Sequence, residues 1–92
     1  MSLKRKLVYK HIGAKIAYFR ALNDMSQDEL AHRIHVSRGT LSKIERGSYD
    51  SSVSLDMLLD IADVMGLEFS VFISSDADER QYLEKLLKKE SV

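Results

Sequence analysis

Apolar residues recur every three or four positions over the first quarter of the chain, which is the spacing of one face of an amphipathic helix. These residues are Val8, Ile12, Ile16, Phe19 and Leu22. The pattern predicts a helix from about Val8 to Leu22. Asn23 and Asp24, which tolerate turn conformations, are expected to end it.

Two further helices are indicated by their N-terminal signals. Ser26, followed three residues later by Glu29, has the spacing of a capping box, and Met25 and Leu30 form the matching hydrophobic staple. This combination predicts a helix that begins at Gln27. Its apolar face is formed by Leu30, Ala31 and Ile34.

The third helix follows almost at once. Ser37 is a second candidate N-cap, flanked by the apolar Val36 and Leu41, and the helix is expected to run to Arg46, with Gly47 just past its end. Because so few residues separate the two helices, they must cross at a steep angle. Residues 26–47 therefore predict a helix-turn-helix.

A fourth helix is predicted after Ser54, its N-cap, and is expected to end at Gly66. Its apolar residues are Leu55, Leu58, Leu59, Ile61, Ala62 and Met65. They have the spacing needed to close a small core over the first three helices.

Residues 67–74 alternate apolar and other side chains and are rich in Phe and β-branched residues, which favours a β-strand. A strand needs a partner, and the chain has no second convincing strand. We therefore expect it to pair antiparallel with the same strand of a second copy about a two-fold axis. The residues expected at that dimer interface are Phe69, Val71, Phe72 and Ile73. The alternative is an ordinary fifth helix.

A final helix is predicted over residues 76–89, because acidic residues open it and lysines close it, in agreement with the helix dipole. Its apolar stripe consists of Tyr82, Leu83, Leu86 and Leu87. Three uses of that stripe stay open at this point. It can pack on its own domain, complete a dimer or receive a partner protein.

Length and composition limit the possibilities. A chain of 92 residues forms one domain with one modest core. The absence of Cys excludes disulfides and thiolate metal sites, and no apolar run reaches the length of a membrane span. We expect a soluble, cytoplasmic protein that does not associate with membranes.

The net charge of zero conceals two halves of opposite sign. Residues 1–46 contain ten Lys and Arg against four Asp and Glu, whereas residues 47–92 contain four against ten. A basic half that includes the helix-turn-helix suits a surface that faces phosphates.

The sequence gives only weak signals for a catalytic or metal-binding site. His32 and His35 are three residues apart, but no third ligand is predicted near them, and the carboxylates of Asp56, Asp60 and Asp63 have the spacing of a solvated helix face. The sequence has no nucleophile and base pair and no Gly-rich phosphate loop. It predicts no enzymatic activity, no metal site and no cofactor.

The helix-turn-helix resembles that of the lambda-repressor-like family, also called Xre or Cro-type. Gln27 stands where that family has a Gln, and the wider pattern extends from Ile12 to Gly66. Positions that match its core are Ala31, Val36, Leu41 and Ile44. His35 departs from it, since Gly is usual at this corner, where the residue takes a positive φ, and Asp24 likewise replaces a common Gly.

The resemblance implies which residues face DNA. Helix 38–46 would lie in the major groove, with Arg38 and Thr40 contacting bases, Lys43 reaching a base or a phosphate, and Gly39 allowing close approach. Contacts to phosphates are expected from Gln27, Ser37, Ser42 and Arg46, with Arg20 and Tyr49 as helpers. In the family, an Arg at the position of Arg20 pairs with a Glu at the position of Glu45.

The expected fold is mainly α: a lambda-repressor-like four-helix domain over residues 8–66, with a strand and a helix over 67–92 for dimerisation. The expected function is a homodimeric transcriptional regulator, more a repressor than an activator, on a palindromic site in double-stranded DNA. The alternative is an antitoxin that binds a toxin protein and regulates its own operon. The strand and the final helix favour that alternative, because dimers of some antitoxins in the family are similar.

Overall fold

The computed structural model describes residues 3–48 and 53–74, together with Lys88. These residues form five helices and contain no strand. The helices are α1 (Leu3–Leu22), α2 (Gln27–Arg33), α3 (Arg38–Glu45), α4 (Leu55–Met65) and α5 (Ser70–Ile73). The predicted mainly α fold is confirmed, and the predicted helix 76–89 lies outside the described residues apart from Lys88, which is helical.

Three serines begin helices α2, α3 and α4 as the sequence predicts. Ser26, Ser37 and Ser54 all have extended backbones, and the hydroxyl oxygen of each accepts a hydrogen bond of 3.1 Å from the backbone N–H three residues later. Each bond satisfies one of the N–H groups that have no partner within the helix.

Helix α1 begins five residues before the predicted position. Residues 3–7 contain only Leu, Lys and Arg, which are good helix formers, so the helix extends beyond the start of its apolar stripe. Only the middle of that stripe packs into the core: Ile12 and Ile16 are buried and Phe19 is partly buried, whereas Val8 and Leu22 are exposed. None of the described helices, α1 included, has the length and hydropathy of a membrane span.

One core joins all five helices. Its most deeply buried side chains are Ile16, Leu30, Leu41, Ile61 and Phe72. Helix α4 contributes Leu58, Ile61, Ala62 and Met65, as predicted, but Leu55 and Leu59 lie at the surface.

The predicted strand over residues 67–74 is wrong, because Ser70–Ile73 form the short helix α5. The side chain of Phe72 is fully buried, and its ring meets that of Phe19 edge to face with centroids 5.9 Å apart. Short apolar runs fit either period, and here the burial of Phe72 in its own domain outweighs the β-propensity of the segment.

The C-terminal end of α5 is held by two basic side chains of α1. Lys15 Nζ donates to the carbonyl oxygens of Val71 (2.9 Å) and Ser74 (3.0 Å), and His11 Nε2 donates to that of Ser74 (2.8 Å). Carbonyls at the end of a helix have no partner within it, so these bonds satisfy groups that would otherwise need water. They also fix the position at which the chain leaves Ser74.

Helices α1 and α3 approach each other backbone to backbone at Gly13. A Cβ atom added there would overlap the carbonyl oxygen of Ile44 and lie 2.7 Å from that of Glu45. Only Gly fits this position, since both obstructing atoms belong to the backbone of α3.

The four longer helices end with the same pair of hydrogen bonds, known as the Schellman motif. After α2, Val36 N–H donates to the Ala31 carbonyl (3.0 Å) and His35 N–H to that of His32 (3.2 Å), and equivalent bonds follow α1, α3 and α4. The left-handed residue is Gly47 after α3 and Gly66 after α4, but it is Asp24 (φ 53°) after α1 and His35 (φ 61°) after α2. The positive φ predicted for His35 is confirmed.

The close approach at Gly13 can be tested with Gly13→Ala, and Gly39→Ala serves as the matched control. Gly13→Ala should lower the free energy of unfolding by about 2–3 kcal/mol, because the backbone of α3 cannot yield to the methyl group. At Gly39 the nearest atom to an added Cβ is 3.9 Å away, so Ala should be neutral or stabilise by up to about 1 kcal/mol. Urea unfolding measures both, and equal effects would contradict the packing described.

The strain at His35 can be tested with His35→Gly beside His32→Gly. Both histidines are exposed, and both substitutions loosen the unfolded chain equally. Relative to His32→Gly, which costs up to about 1 kcal/mol inside α2, His35→Gly should be more stable by about 1–2 kcal/mol, since Gly avoids the Cβ penalty at positive φ. Thermal unfolding gives the comparison, and a lower Tm for His35→Gly than for His32→Gly would show that the His35 side chain makes a contact worth more than the strain.

Candidate nucleic-acid interface

The helix-turn-helix is formed by α2 and α3, which pack through small and aliphatic side chains. Ala31 is almost fully buried between them, and Leu41 and Ile44 lie on the buried side of α3. Position 31 is small, so α3 can lie close against α2. The opposite side of α3 is left at the surface of the domain.

That outer side of α3, with the N-terminus of α2, is here called the recognition surface. It contains eight of the ten residues expected from the sequence to serve DNA binding, the other two being the helpers Arg20 and Tyr49: Gln27, Ser37, Arg38, Gly39, Thr40, Ser42, Lys43 and Arg46. Ser37, Arg38, Gly39, Lys43 and Arg46 are exposed, whereas Gln27, Thr40 and Ser42 are partly buried. Tyr49, predicted as a helper, lies outside the described residues.

The recognition surface is basic because Glu45, the acidic residue of α3, points away from it. Arg38, Lys43 and Arg46 are exposed, whereas the side chain of Glu45 is only 5% exposed. Three cations thus lie along about two turns of helix with no carboxylate of α3 among them. Such a surface attracts phosphates.

Glu45 is held inside by a bidentate ion pair with Arg20. Arg20 Nε and a terminal nitrogen donate to the two carboxylate oxygens at 2.7 and 2.9 Å, and the other terminal nitrogen donates to the carbonyl oxygen of Met25 at 2.8 Å. The hydrogen bond to Glu45 raises the pKa of Arg20 above its already high ordinary value, although burial opposes the shift. The predicted pair is therefore present, and it joins the end of α3 to α1 and to the turn before α2.

Gln27 belongs to the same cluster. Its Nε2 donates to Glu45 Oε1 at 2.8 Å, so the side chain links the first residue of α2 to the last residue of α3. The family resemblance implies a phosphate contact for Gln27, and nothing in the sequence indicates this bond to Glu45. The phosphate contact stays a prediction.

The hydroxyl of Ser37 is used by Thr40. It accepts from the Thr40 backbone N–H at 3.1 Å and donates to Thr40 Oγ1 at 2.8 Å. Ser37 therefore caps α3 and fixes the Thr40 side chain, and it can donate to a phosphate only if the second bond is broken. Thr40 keeps its own hydroxyl hydrogen for an external acceptor.

Asp28 also belongs to the recognition surface, although it was not predicted from the sequence. Asp28 Oδ1 lies 3.7 Å from Arg38 Nε, with both side chains about two-thirds exposed. Two residues from different helices make this contact, so the spacing along the chain gives no signal for it.

No group of three His, Asp or Glu side chains within the described residues is arranged to hold a metal ion. The recognition surface presents cations and hydroxyls, with the Asp28 carboxylate beside Arg38. Its chemistry is that of hydrogen bonding and charge neutralisation.

Comparisons with known proteins agree with this geometry. The sequence pattern of the helix-turn-helix family matches residues 16–72. An uncharacterized HTH-type transcriptional regulator of Methanocaldococcus jannaschii is 40% identical over 63 residues, which cover 67% of this chain and 92% of that protein.

Solved structures of transcription regulators are also similar to this chain. The clp gene regulator ClgR of Corynebacterium glutamicum superposes with a TM-score of 0.64 at 31% identity over 71% of this chain and 82% of that chain. A second ClgR structure gives 0.69 at 26% identity, covering 89% and 87% of the two chains. A hypothetical transcription factor, NHTF, from Neisseria gives 0.73 over 86% of each chain, and at 18% identity it supports the fold alone.

The buried ion pair can be compared with the exposed one in the same molecule. Replacing Arg20 by Ala leaves the Glu45 carboxylate, only 5% exposed, without a cation and with the Gln27 hydrogen bond alone, so the free energy of unfolding should fall by about 3 kcal/mol, whereas Arg38→Ala should change it by less than about 1 kcal/mol. Since the pKa of Arg20 is raised on folding, its contribution is fully present below the pKa of arginine in the unfolded chain and is lost only at still higher pH. The difference in free energy of unfolding between the parent and Arg20→Ala, measured with urea, should therefore not decrease as pH rises from about 6 to 9. Equal costs for the two variants would show that Glu45 does not depend on its partner.

Proposed function

Since the chain belongs to the lambda-repressor-like helix-turn-helix family of transcriptional regulators, we propose that it binds a palindromic site in double-stranded DNA as a homodimer, with α3 in the major groove, and represses transcription. The observation that carries this proposal is the placement of charge on α3. Arg38, Lys43 and Arg46 are exposed, and Glu45 is turned into the domain.

Base contacts are assigned to the first half of α3, because helices of this type meet base edges with their N-terminal residues. Arg38 stands first in α3 and can donate two hydrogen bonds to O6 and N7 of guanine. Asp28 Oδ1 lies 3.7 Å from Arg38 Nε, and both side chains stay about two-thirds exposed, so the guanidinium remains accessible to DNA. Thr40 offers a hydroxyl hydrogen and a methyl group, and Lys43 lies one turn further on.

Gly39 has no side chain between those of Arg38 and Thr40. A Cβ atom added at Gly39 would have the Ser37 hydroxyl as its nearest neighbour, at 3.9 Å. A helix without a side chain at this position can approach the floor of the groove more closely. The proposed role of Gly39 is therefore to allow the contacts of Arg38 and Thr40.

Phosphate contacts are assigned to Gln27, Ser37, Ser42 and Arg46, with Arg20 behind them. Arg46 Nε donates to the carbonyl oxygen of Ser42 at 3.3 Å, which holds the side chain along the end of α3. Phosphate contacts of this kind fix the position of a protein on DNA and carry no sequence information directly.

A dimer is proposed because two copies related by a two-fold axis bind two half-sites about 34 Å apart, one turn of DNA. The strand pairing expected to form it does not exist among the described residues, and Phe72 is part of its own core. Phe69 and Val71 are partly buried, and Ile73 is 52% exposed. Of the four residues first assigned to the dimer, Ile73 is the most available.

Repression needs nothing beyond occupancy of the site, because a bound dimer excludes polymerase from overlapping DNA. Two features of the sequence favoured the antitoxin alternative, the predicted strand and the predicted final helix. The strand is absent from the described residues, so it no longer favours that alternative. Its other support, the predicted helix 76–89, lies outside the described residues.

The test begins with selection of bound sites from random duplex DNA and continues with affinity measurements on the selected site and on a scrambled duplex. Arg38→Ala should lose about 1–3 kcal/mol of binding free energy on the selected site and relax the preference at one base pair. Arg46→Ala is the matched control: it removes the same side chain from the other end of α3. It should weaken binding to both duplexes about equally.

The salt dependence separates the two roles further. For each phosphate contact removed, the slope of log K against log salt should fall by about 0.9, and this is expected for Arg46→Ala and not for Arg38→Ala. The proposed function would be overturned if the selection enriched no site and the affinity for DNA did not depend on salt. If both variants lost affinity uniformly, only the assignment of base contacts would be wrong.

A further inference from the structure

A carboxylate lies on the recognition surface, beside the arginine that is proposed to read a base. Asp28 Oδ1 is 3.7 Å from Arg38 Nε, and the side chains of both residues are about two-thirds exposed. Because DNA phosphates are negative, a carboxylate at this place opposes their approach. The chain therefore keeps, at its proposed DNA interface, a group that weakens the attraction to DNA.

The stability of α2 accounts for this carboxylate only in part. An acidic residue in the first turn of a helix is favoured by the helix dipole, but Glu29 is exposed in the same turn and already meets that need. The pair with Arg38 adds little, since exposed ion pairs contribute little to the free energy of unfolding. The position of Asp28 therefore calls for a role at the surface.

The pairing distinguishes one cation of α3 from the other two. Arg38 has the carboxylate of Asp28 beside it. Within the part of the chain that the structure describes, no carboxylate pairs with Lys43 or Arg46, and Glu45 is directed into the domain. The carboxylate thus lies next to the cation assigned to a base and away from the cation assigned to a phosphate.

A carboxylate beside Arg38 affects two kinds of DNA complex differently. On DNA of any sequence, binding is mostly attraction between cations and phosphates, and the charge of Asp28 opposes it. On a site with guanine at the right position, O6 and N7 of the base hold the guanidinium by two hydrogen bonds. The attraction between Asp28 and Arg38 is then stronger, because charges interact more strongly where water is excluded. On that site alone, this attraction offsets part of the repulsion by phosphates.

We propose that Asp28 is a specificity-determining residue, which lowers the affinity for DNA of any sequence and, through Arg38, lowers it less for the selected site. Specificity is a difference between two affinities, so a group that disfavours the wrong partner raises it just as a new contact to the right partner does. This inference rests on the proposed function, since it requires that Arg38 contacts a guanine in duplex DNA.

The test compares the parent with Asp28→Asn, which removes the charge and nearly keeps the size of the side chain, on the selected site and on the scrambled duplex. Affinity for the scrambled duplex should rise about five- to tenfold, whereas affinity for the selected site should rise by less than about twofold. The ratio of the two affinities should therefore fall by more than about twofold. On the scrambled duplex, the slope of log K against log salt should also become steeper.

Two further variants serve as controls. Glu29→Gln removes one negative charge from the same turn of α2 and leaves the pair intact, so it should change both affinities by the same factor and keep the ratio. Asp28→Glu retains a carboxylate and should also keep the ratio to within about twofold. Asp28→Asn and Glu29→Gln should lower the Tm by similar amounts, since both residues lie in the first turn of α2. A purely structural role would not move the ratio.

A double-mutant cycle isolates the part played by Arg38. In the Arg38→Ala background, Asp28→Asn should raise both affinities by the same factor, so that the ratio no longer changes. A ratio that still falls in this background would overturn the proposal, because the carboxylate would then act on another contact.

The remaining outcomes separate this inference from the proposed function. If the parent selects a site and Arg38→Ala relaxes its preference, but Asp28→Asn leaves the ratio unchanged, the proposed function stands and the role of Asp28 is wrong. A parent that prefers no sequence would overturn both.

Discussion

The carboxylate of Glu45 is the group on which the arrangement of the first three helices depends. It is buried, and it receives hydrogen bonds from Arg20 of α1 and Gln27 of α2, while Arg20 also holds the carbonyl of Met25 in the turn between them. A buried charge is tolerated only when it is paired and hydrogen-bonded. The requirement to satisfy one carboxylate thus sets the end of α3 relative to α1 and to the start of α2.

Packing and backbone geometry reinforce that arrangement. At Gly13 the backbones of α1 and α3 lie in close contact, and the small side chain of Ala31 in α2 is almost fully buried. The helices end in the same hydrogen-bonded turn whether its left-handed residue is Gly or not, so the corner after α2 is rigidly defined even with His35 in it. The orientation of α3 is accordingly determined by close contacts rather than by the loops.

How much could be predicted from the sequence depends on whether the signal was local. The starts of α2, α3 and α4 were predicted correctly because a Ser and the N–H three residues on are enough to define each cap. The strand was predicted wrongly because the position of Phe72 is decided by Phe19, more than fifty residues earlier in the chain. For the same reason the bonds from Gln27 to Glu45 and from Asp28 to Arg38 could not be foreseen, although the family resemblance supplied Arg20 with Glu45.

The inward position of Glu45 has a further consequence. Everything that holds α3 in place lies on one side of it, in Leu41, Ile44 and Glu45, while Arg38, Gly39 and Lys43 on the other side contribute nothing to the core. Stability and surface chemistry are therefore encoded by separate positions of one eight-residue helix. Such a helix can acquire a new outer surface by a few substitutions without refolding, which makes the domain an exchangeable scaffold for evolution or engineering.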